Sequence, residues 1–387
     1  MGTVTTVTSV VIVGAGLAGF ETARALRAQG YQGRLVLLGA ESEPPYDRPP
    51  LSKEMLRGTE LKIHFDLSSV PDVELRTGEP ARRLTEQGVI TESGAWDADA
   101  IVVATGSDPI ALPGTATLRT IDDARRLREQ LYPGARLAII GAGWIGAEVA
   151  TAAAEAGCEV TVYEAGPSPF AQALPQVVSE RLVPWFAEAG VTLRLGERID
   201  DVAALDADLV LSGLGARPAT SWLRDSGVEV DRHGAVVVDE FLRTQRPGLF
   251  AVGDCAAWWS LRYDQRLRVE HWDTALHAPA VVARSVMGVT GAPYDPVPYF
   301  WSDQFGRTLQ YAGRAGPADR MVWRGDPQAS SWTVGWFDAE RPTRLTALIT
   351  VNRPRDLVQA RRLMVEEVAI DEGRFADVDV AVKQAVL

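Results

Sequence analysis

One pattern is written twice in this chain, and it limits the fold more than any other feature. Ser9-Val10-Val11-Ile12-Val13 runs into Gly14-Ala15-Gly16-Leu17-Ala18-Gly19, and Leu137-Ala138-Ile139-Ile140 runs into Gly141-Ala142-Gly143-Trp144-Ile145-Gly146. Each aliphatic run and GxGxxG turn leads into a stretch of helical composition, residues 20–29 and 147–156. Each helix then meets a glycine, Gly30 or Gly157, suited to ending it. A second strand follows at 34–38 and 159–163. One GxGxxG is a weak signal, because close helix–strand packing alone favours such glycines; two in the same context are strong. The first glycine permits the tight turn, the second lets the backbone approach a pyrophosphate, and the third lets helix and strand pack closely. The helix N-terminus offers unpaired N–H groups to the phosphates. The chain therefore reads as two dinucleotide-binding α/β units, starting near residues 8 and 135.

Ribose binding calls for an acidic residue at the end of the second strand, roughly 20 residues on. Glu164 has that place in the second unit, where its charge repels a 2′-phosphate and no nearby arginine receives one, so NADH is expected over NADPH. In the first unit the candidate is Glu41, the alternative being that Glu41 and Glu43 are ordinary solvated loop acids. A hydride donor in one unit and an acceptor in the other is the economical pairing. A flavin takes two electrons and releases them one at a time. FAD, not FMN, is implied, because the first unit is built for a pyrophosphate and an adenosine.

Between the units, the strand 100–103 ends in Ala104-Thr105-Gly106, and the Pro-rich residues 108–114 read as a domain crossover. Residues 248–254 repeat the strand-then-glycine pattern and precede a helical segment, 273–287. After Gly288 the texture becomes that of an α+β domain of about 90 residues, with strands at 308–312, 321–324, 331–337 and 345–351 and a helix at 354–367.

Composition removes several classes of function. With 39 Lys+Arg against 51 Asp+Glu, the net charge of −12 opposes nucleic-acid binding. Cys158 and Cys255 are the only cysteines and form no CxxC, so no disulfide framework or redox dithiol exists. Of the four histidines, His271 and His277 are spaced i, i+6, off a common helix face, and no metal site is expected. The longest apolar stretches, 9–20 and 137–147, are too short to span a membrane. No basic region precedes the first apolar run, so a cytoplasmic protein without a signal peptide is expected. Met1-Gly2-Thr3-Val4-Thr5-Thr6 formally fits an acylation pattern, but it is short enough to match by chance.

Several strings then carry a resemblance: Pro45-Tyr46-Asp47-Arg48-Pro49-Pro50-Leu51-Ser52-Lys53, Leu249-Phe250-Ala251-Val252-Gly253-Asp254-Cys255-Ala256, Arg268-Val269-Glu270-His271-Trp272, Phe300-Trp301-Ser302-Asp303-Gln304 and Val351-Asn352-Arg353-Pro354. In this order, over essentially the whole chain, they resemble the FAD-dependent ferredoxin reductases that serve bacterial oxygenases. The resemblance implies a glutathione reductase-like fold: two Rossmann-like domains plus a C-terminal α+β interface domain. The expected boundaries are 1–112 and 241–294 for FAD, 113–240 for NADH, and 295–387 for the interface domain. It implies FAD near Gly14, Gly16, Ala18, Gly19, Ala104, Thr105, Gly106, Gly253, Glu270 and His271. Asp254 would bond the ribityl and pyrophosphate region, Arg48, Lys53 and Arg119 would contact FAD, the backbone near Ala81 the adenine, and Trp272 the flavin ring. NADH would lie on Gly141, Gly143, Ile145, Gly146, Glu164 and Gly215. Lys53, one of three lysines in the chain, would pair with Glu148 and serve the hydride step. Trp144 would either stack near the nicotinamide or fill an interface.

The implied partner is a ferredoxin feeding a haem monooxygenase or a dioxygenase, with no nucleic acid or membrane involved and the reductase a monomer or weak homodimer. Residues 295–355 hold 8 arginines against 6 acids, a local positive excess. Arg307, Arg341 and Arg344 are the docking candidates. The alternatives are another FAD/NADH enzyme of this fold, such as an NADH oxidase or a quinone or dye reductase, and a redox-responsive binding protein resembling apoptosis-inducing factor. Disulfide reductases are excluded, because neither cysteine has the required spacing.

Overall fold

The structure is a computed structural model that describes residues 7–59 and 61–387. The Met1–Thr6 acylation pattern lies outside the described residues. The chain divides into two compact units, one of Met1–Pro49, Lys62–Asp108 and Ala216–Asp295, the other of Pro50–Leu61, Pro109–Gly215 and Pro296–Leu387.

In the first unit, strands Leu249–Ala251, Ala100–Val103, Ser9–Val13, Arg34–Leu38 and Val73–Arg76 form one sheet in that order, all parallel. Val10, Val11, Ile12, Leu35, Val36, Leu37 and Val102 are buried, as expected of strands covered on both faces. The chain builds outward from Ser9–Val13 in both directions, which opens a crevice at that strand's carboxyl end, where Gly14 turns. The helix Leu17–Ala28 starts three residues before the expected 20, because the end of the glycine motif is already its first turn. Gly30 follows it at φ 91°, where a side chain would be strained. The single helix expected at 273–287 is two, Trp272–His277 and Pro279–Val286. Pro279 has no N–H with which to continue the first.

In the second unit, strands Thr192–Leu195, Glu159–Glu164, Arg136–Ile140 and Leu209–Ser212 form a parallel sheet in that order. The helix Trp144–Glu155 follows the second glycine turn and is apolar nearly all round, so it is buried along most of its length. The same unit contains an antiparallel sheet ordered Tyr299–Gln304, Arg307–Gly313, Leu345–Val351, Trp332–Phe337 and Arg320–Arg324. Its core includes Phe337, Leu348, Leu357, Ala360 and Phe375, with Leu357 and Ala360 coming from the helix Pro354–Val365. Sequence patterning missed Tyr299–Gln304, since its most buried positions are the polar Ser302 and Gln304. A two-residue turn, Phe305 at φ 51° and Gly306 at φ 71°, joins it to the next strand in the geometry hairpins favour.

The chain leaves the first unit at Asp108, inside the expected Pro-rich crossover, and returns at Ala216. The expectation of 241 differs because Ala216–Pro218 pairs with Ser107–Pro109, and Val236–Val238 pairs with Ala256–Ser260 of the first unit. Among the described residues no helix is long and apolar enough to cross a membrane.

Candidate functional site

In the first unit the glycine motif shows which of its members a ligand needs. A Cβ on Gly14 would lie 2.2 Å from Ala104 O, and one on Gly19 would lie 1.8 Å from Gly14 O. These two glycines let the protein backbone pack against itself. A Cβ on Gly16 would meet nothing within 4 Å, so this turn faces open space. Thr105 of the adjoining Ala104-Thr105-Gly106 turn has a buried Oγ1 with no hydrogen-bond partner. An open glycine turn at a helix N-terminus, beside an unsatisfied hydroxyl, fits the pyrophosphate of a dinucleotide.

Other expected residues also belong to this unit. Gly253 lies against Ala18, whose Cβ would be 3.0 Å from a Cβ on the glycine. Asp254 accepts a hydrogen bond from Ser107 Oγ at 3.2 Å. Trp272 Nε1 donates to Asp47 Oδ1 at 2.8 Å, Arg268 pairs with Glu270, and Ala81 packs against the core. Glu41 accepts from Tyr46 Oη at 2.5 Å and from Arg48 Nη2 at 2.6 Å. It is thus an organised carboxylate and not a loose loop acid. His271 keeps partial exposure but is closely surrounded by protein, and this desolvation pushes its pKa down to about 4 against the opposing pull of Asp254.

The second unit repeats the logic. A Cβ on Gly141 would lie 2.5 Å from Gly213 O and one on Gly146 2.2 Å from Gly141 O, whereas the nearest atom to one on Gly143 is 3.8 Å away. Ile145 at the helix start is exposed. Glu164 accepts from Ala142 N at 2.9 Å and Gly166 N at 2.8 Å, which fixes its carboxylate beside the glycine turn. Gly215, at φ 91°, has no neighbour within 4 Å of a Cβ, and its carbonyl accepts from Ile110 N.

Lys53 and Arg119, expected to touch FAD, both belong to this second unit. Arg119 N donates to Asp123, within the capped start of the helix Ile121–Glu129. Lys53 Nζ donates to Glu148 Oε2 at 2.8 Å, with the residues 8% and 4% exposed. Sequence reasoning missed the two hydroxyls on the same carboxylate. Ser52 Oγ also donates to Oε2, and Ser302 Oγ donates to Oε1 at 2.6 Å. Both serines stand inside strings that carry the resemblance, but nothing in their spacing along the chain brings them together. Trp144 stacks on Phe170 at 4.4 Å and tilts against Phe300 at 4.8 Å, so protein rings pack against it.

The three docking candidates are all ion-paired. Arg307 is mostly buried, pairs with Glu188 at 2.5 Å and lies over the Trp185 ring, a strut rather than a free surface charge. Arg341 and Arg344 share Asp338, at 3.1 and 3.6 Å. Cys158 and Cys255 are free thiols that donate to backbone carbonyls.

Residues 8–278 match the model of a family described as pyridine nucleotide-disulphide oxidoreductase, and residues 299–386 match one described as reductase C-terminal. Over 98% of this chain and 94% of the relative, the sequence is 34% identical to rhodocoxin reductase of Rhodococcus erythropolis. It is 35% identical to the ferredoxin reductase component of chlorobenzene dioxygenase from Cupriavidus sp. (strain PS12), over 96% and 95% of the two chains. Among solved structures it is similar to the covalent putidaredoxin reductase–putidaredoxin complex, with TM-score 0.91, 31% identity and 98% of each chain covered.

Proposed function

We propose that this chain, which belongs to the pyridine nucleotide-disulphide oxidoreductase family, is an FAD-dependent NADH:ferredoxin oxidoreductase that serves an oxygenase. The observation that carries the reading is the pair of glycine turns, each with its second glycine open to a ligand and its outer glycines closed against backbone. The first unit holds FAD through the N–H groups at Gly14–Gly19, Thr105 Oγ1 and the Asp254 carboxylate that Ser107 fixes. Arg48, Glu41 and Tyr46 form the ordered polar group for the adenosine side. When bound, FAD takes a hydride's two electrons and releases them singly.

The second unit holds NADH. Gly143 and Gly215 leave room for its backbone-bound phosphates, and Glu164 receives the ribose hydroxyls while repelling a 2′-phosphate. Lys53 and Glu148 serve the hydride step. Burial strengthens the field of the Lys53 ammonium, and Glu148 keeps it in place. With no cysteine pair available to store electrons, they leave to an external acceptor, and the names of the relatives favour a ferredoxin in that place. The relatives' names include a rhodocoxin reductase and the ferredoxin reductase component of a dioxygenase, and the latter supports a partner that feeds a dioxygenase. Arg341 and Arg344, which reach the same aspartate from one exposed turn, are the proposed docking contacts.

The test is to purify the yellow holoprotein and follow NADH oxidation with and without added ferredoxin. Oxidation should accelerate several-fold with ferredoxin and be far slower with NADPH. A colourless protein, or turnover indifferent to every iron–sulfur carrier, would overturn the reading.

A further inference from the structure

The Glu148 carboxylate is surrounded by donors. Lys53 Nζ and Ser52 Oγ donate to Oε2, and Ser302 Oγ donates to Oε1 at 2.6 Å. The meeting follows from two periodicities. Glu148 and Thr151 are i, i+3 on one face of the helix Trp144–Glu155, while Ser302 and Gln304 are i, i+2 on one face of the strand Tyr299–Gln304. A second bond, Phe305 N to Thr151 Oγ1 at 3.0 Å, sets the register of the strand on the helix.

Behind Ser302 stands Gln304, whose Nε2 donates to Ser302 Oγ at 3.3 Å. Ser302 has one hydrogen and gives it to Glu148, so toward Gln304 it can only accept. The chain of hydrogen bonds therefore runs one way, from amide to hydroxyl to carboxylate. Both residues are 1% exposed, and Gln304 Oε1 is buried without a hydrogen-bond partner. An apolar side chain of the same shape would leave no such atom unsatisfied. Fold stability alone does not account for a glutamine here, whereas a requirement to orient Ser302 does.

The geometry points to Ser302, oriented by Gln304, as a positioning residue that holds the Glu148 carboxylate aimed at Lys53. This rests on the proposal that Lys53 and Glu148 serve hydride transfer from NADH. With Ser302 on Oε1 and Lys53 and Ser52 on Oε2, the two carboxylate oxygens are held from opposite sides, which fixes the plane of the group. The charged groups facing this cluster are few. Lys53 comes from Pro50–Leu61. Arg57 is paired with Glu155 further along the helix and is also acted on by Glu54 and Asp303. Asp303 accepts from Thr308 Oγ1 at 2.6 Å.

The experiment is anaerobic rapid mixing of holoprotein with saturating NADH, following bleaching of the flavin band from pH 5 to 9. In Ser302→Ala, the whole profile of reduction rate against pH should be lowered about tenfold, as expected for loss of one hydrogen bond to a charged group. Gln304→Leu should lower it by less, and Ser302→Thr, which keeps the hydroxyl, should restore the wild-type profile. A Ser302→Ala profile that superimposes on wild type, or one matched by Ser302→Thr, overturns the inference. Should Ser302→Ala fail to fold, Gln304→Leu decides alone, and an unchanged profile overturns the inference. Should wild type itself show no NADH-driven bleaching, the proposed function falls and the inference with it.

Discussion

Replacing Gly16 and Gly19 separately by alanine should split binding from folding, because the two glycines serve different partners. Gly19 lies inside the helix Leu17–Ala28, where alanine gains about 1 kcal/mol of helix propensity. Its new Cβ, however, would sit 1.8 Å from Gly14 O, where real side chains stay beyond 3.0 Å, so backbone must retreat by more than 1 Å. Overpacking of that kind costs about 3 kcal/mol. The net is about 2 kcal/mol of destabilisation, or a fall of roughly 4–8 °C in the melting temperature of the apoprotein. Gly16 precedes the same helix at φ −77° and ψ −172°, a conformation alanine adopts freely, and its Cβ meets nothing within 4 Å. Gly16→Ala should therefore leave apoprotein stability within about 1 kcal/mol, the small loss reflecting alanine's poor capping. The methyl would occupy the space proposed for the pyrophosphate and break a charge-assisted backbone contact worth about 1.5–3 kcal/mol, an affinity loss of about 10- to 100-fold. Flavin titration by fluorescence and thermal melting of the stripped protein measure the two quantities. Wild-type FAD affinity in Gly16→Ala, or a larger melting shift there than in Gly19→Ala, would refute the assignment.

Glu164→Gln keeps the side chain's size but not its charge, so the ratio of kcat/KM for NADH over NADPH should drop at least about tenfold; steady-state kinetics with both cofactors checks this. His271 takes up a proton near pH 6.5 when unfolded but only near pH 4 in the folded protein. The apoprotein should thus lose up to about 3 kcal/mol of stability as pH falls through that window. Urea unfolding of wild type and His271→Leu from pH 8 to 4 should show a shallower decline in the variant. Arg341→Glu should slow ferredoxin-linked turnover several-fold at low ionic strength and little at high salt, a comparison that stopped-flow mixing makes directly.

Much of this organisation was legible along the chain because it is local. The strands Ser9–Val13 and Ala100–Val103 coincide with their expected bounds, since buried parallel strands are continuous apolar runs that glycine or charge terminates. The glycine motifs are likewise contiguous, so which glycines close against backbone follows from spacing. What escaped was non-local or polar. The strand Tyr299–Gln304 hides behind the buried Ser302, which serves Glu148, and Gln304, which serves Ser302, and neither fits a hydrophobic pattern. The return to the first unit at Ala216 depends on pairing with Ser107–Pro109, about a hundred residues earlier. The neutralised state of Arg307 depends on Glu188, which no count of charges over 295–355 could include.

The most direct test of the central claim is electron counting under anaerobic conditions with purified holoprotein and excess oxidised ferredoxin. Each NADH consumed should yield two reduced ferredoxins, because a hydride carries two electrons and a flavin releases them one by one. NADH oxidation that yields no reduced iron–sulfur protein, and runs only when oxygen or a quinone is admitted, would contradict it.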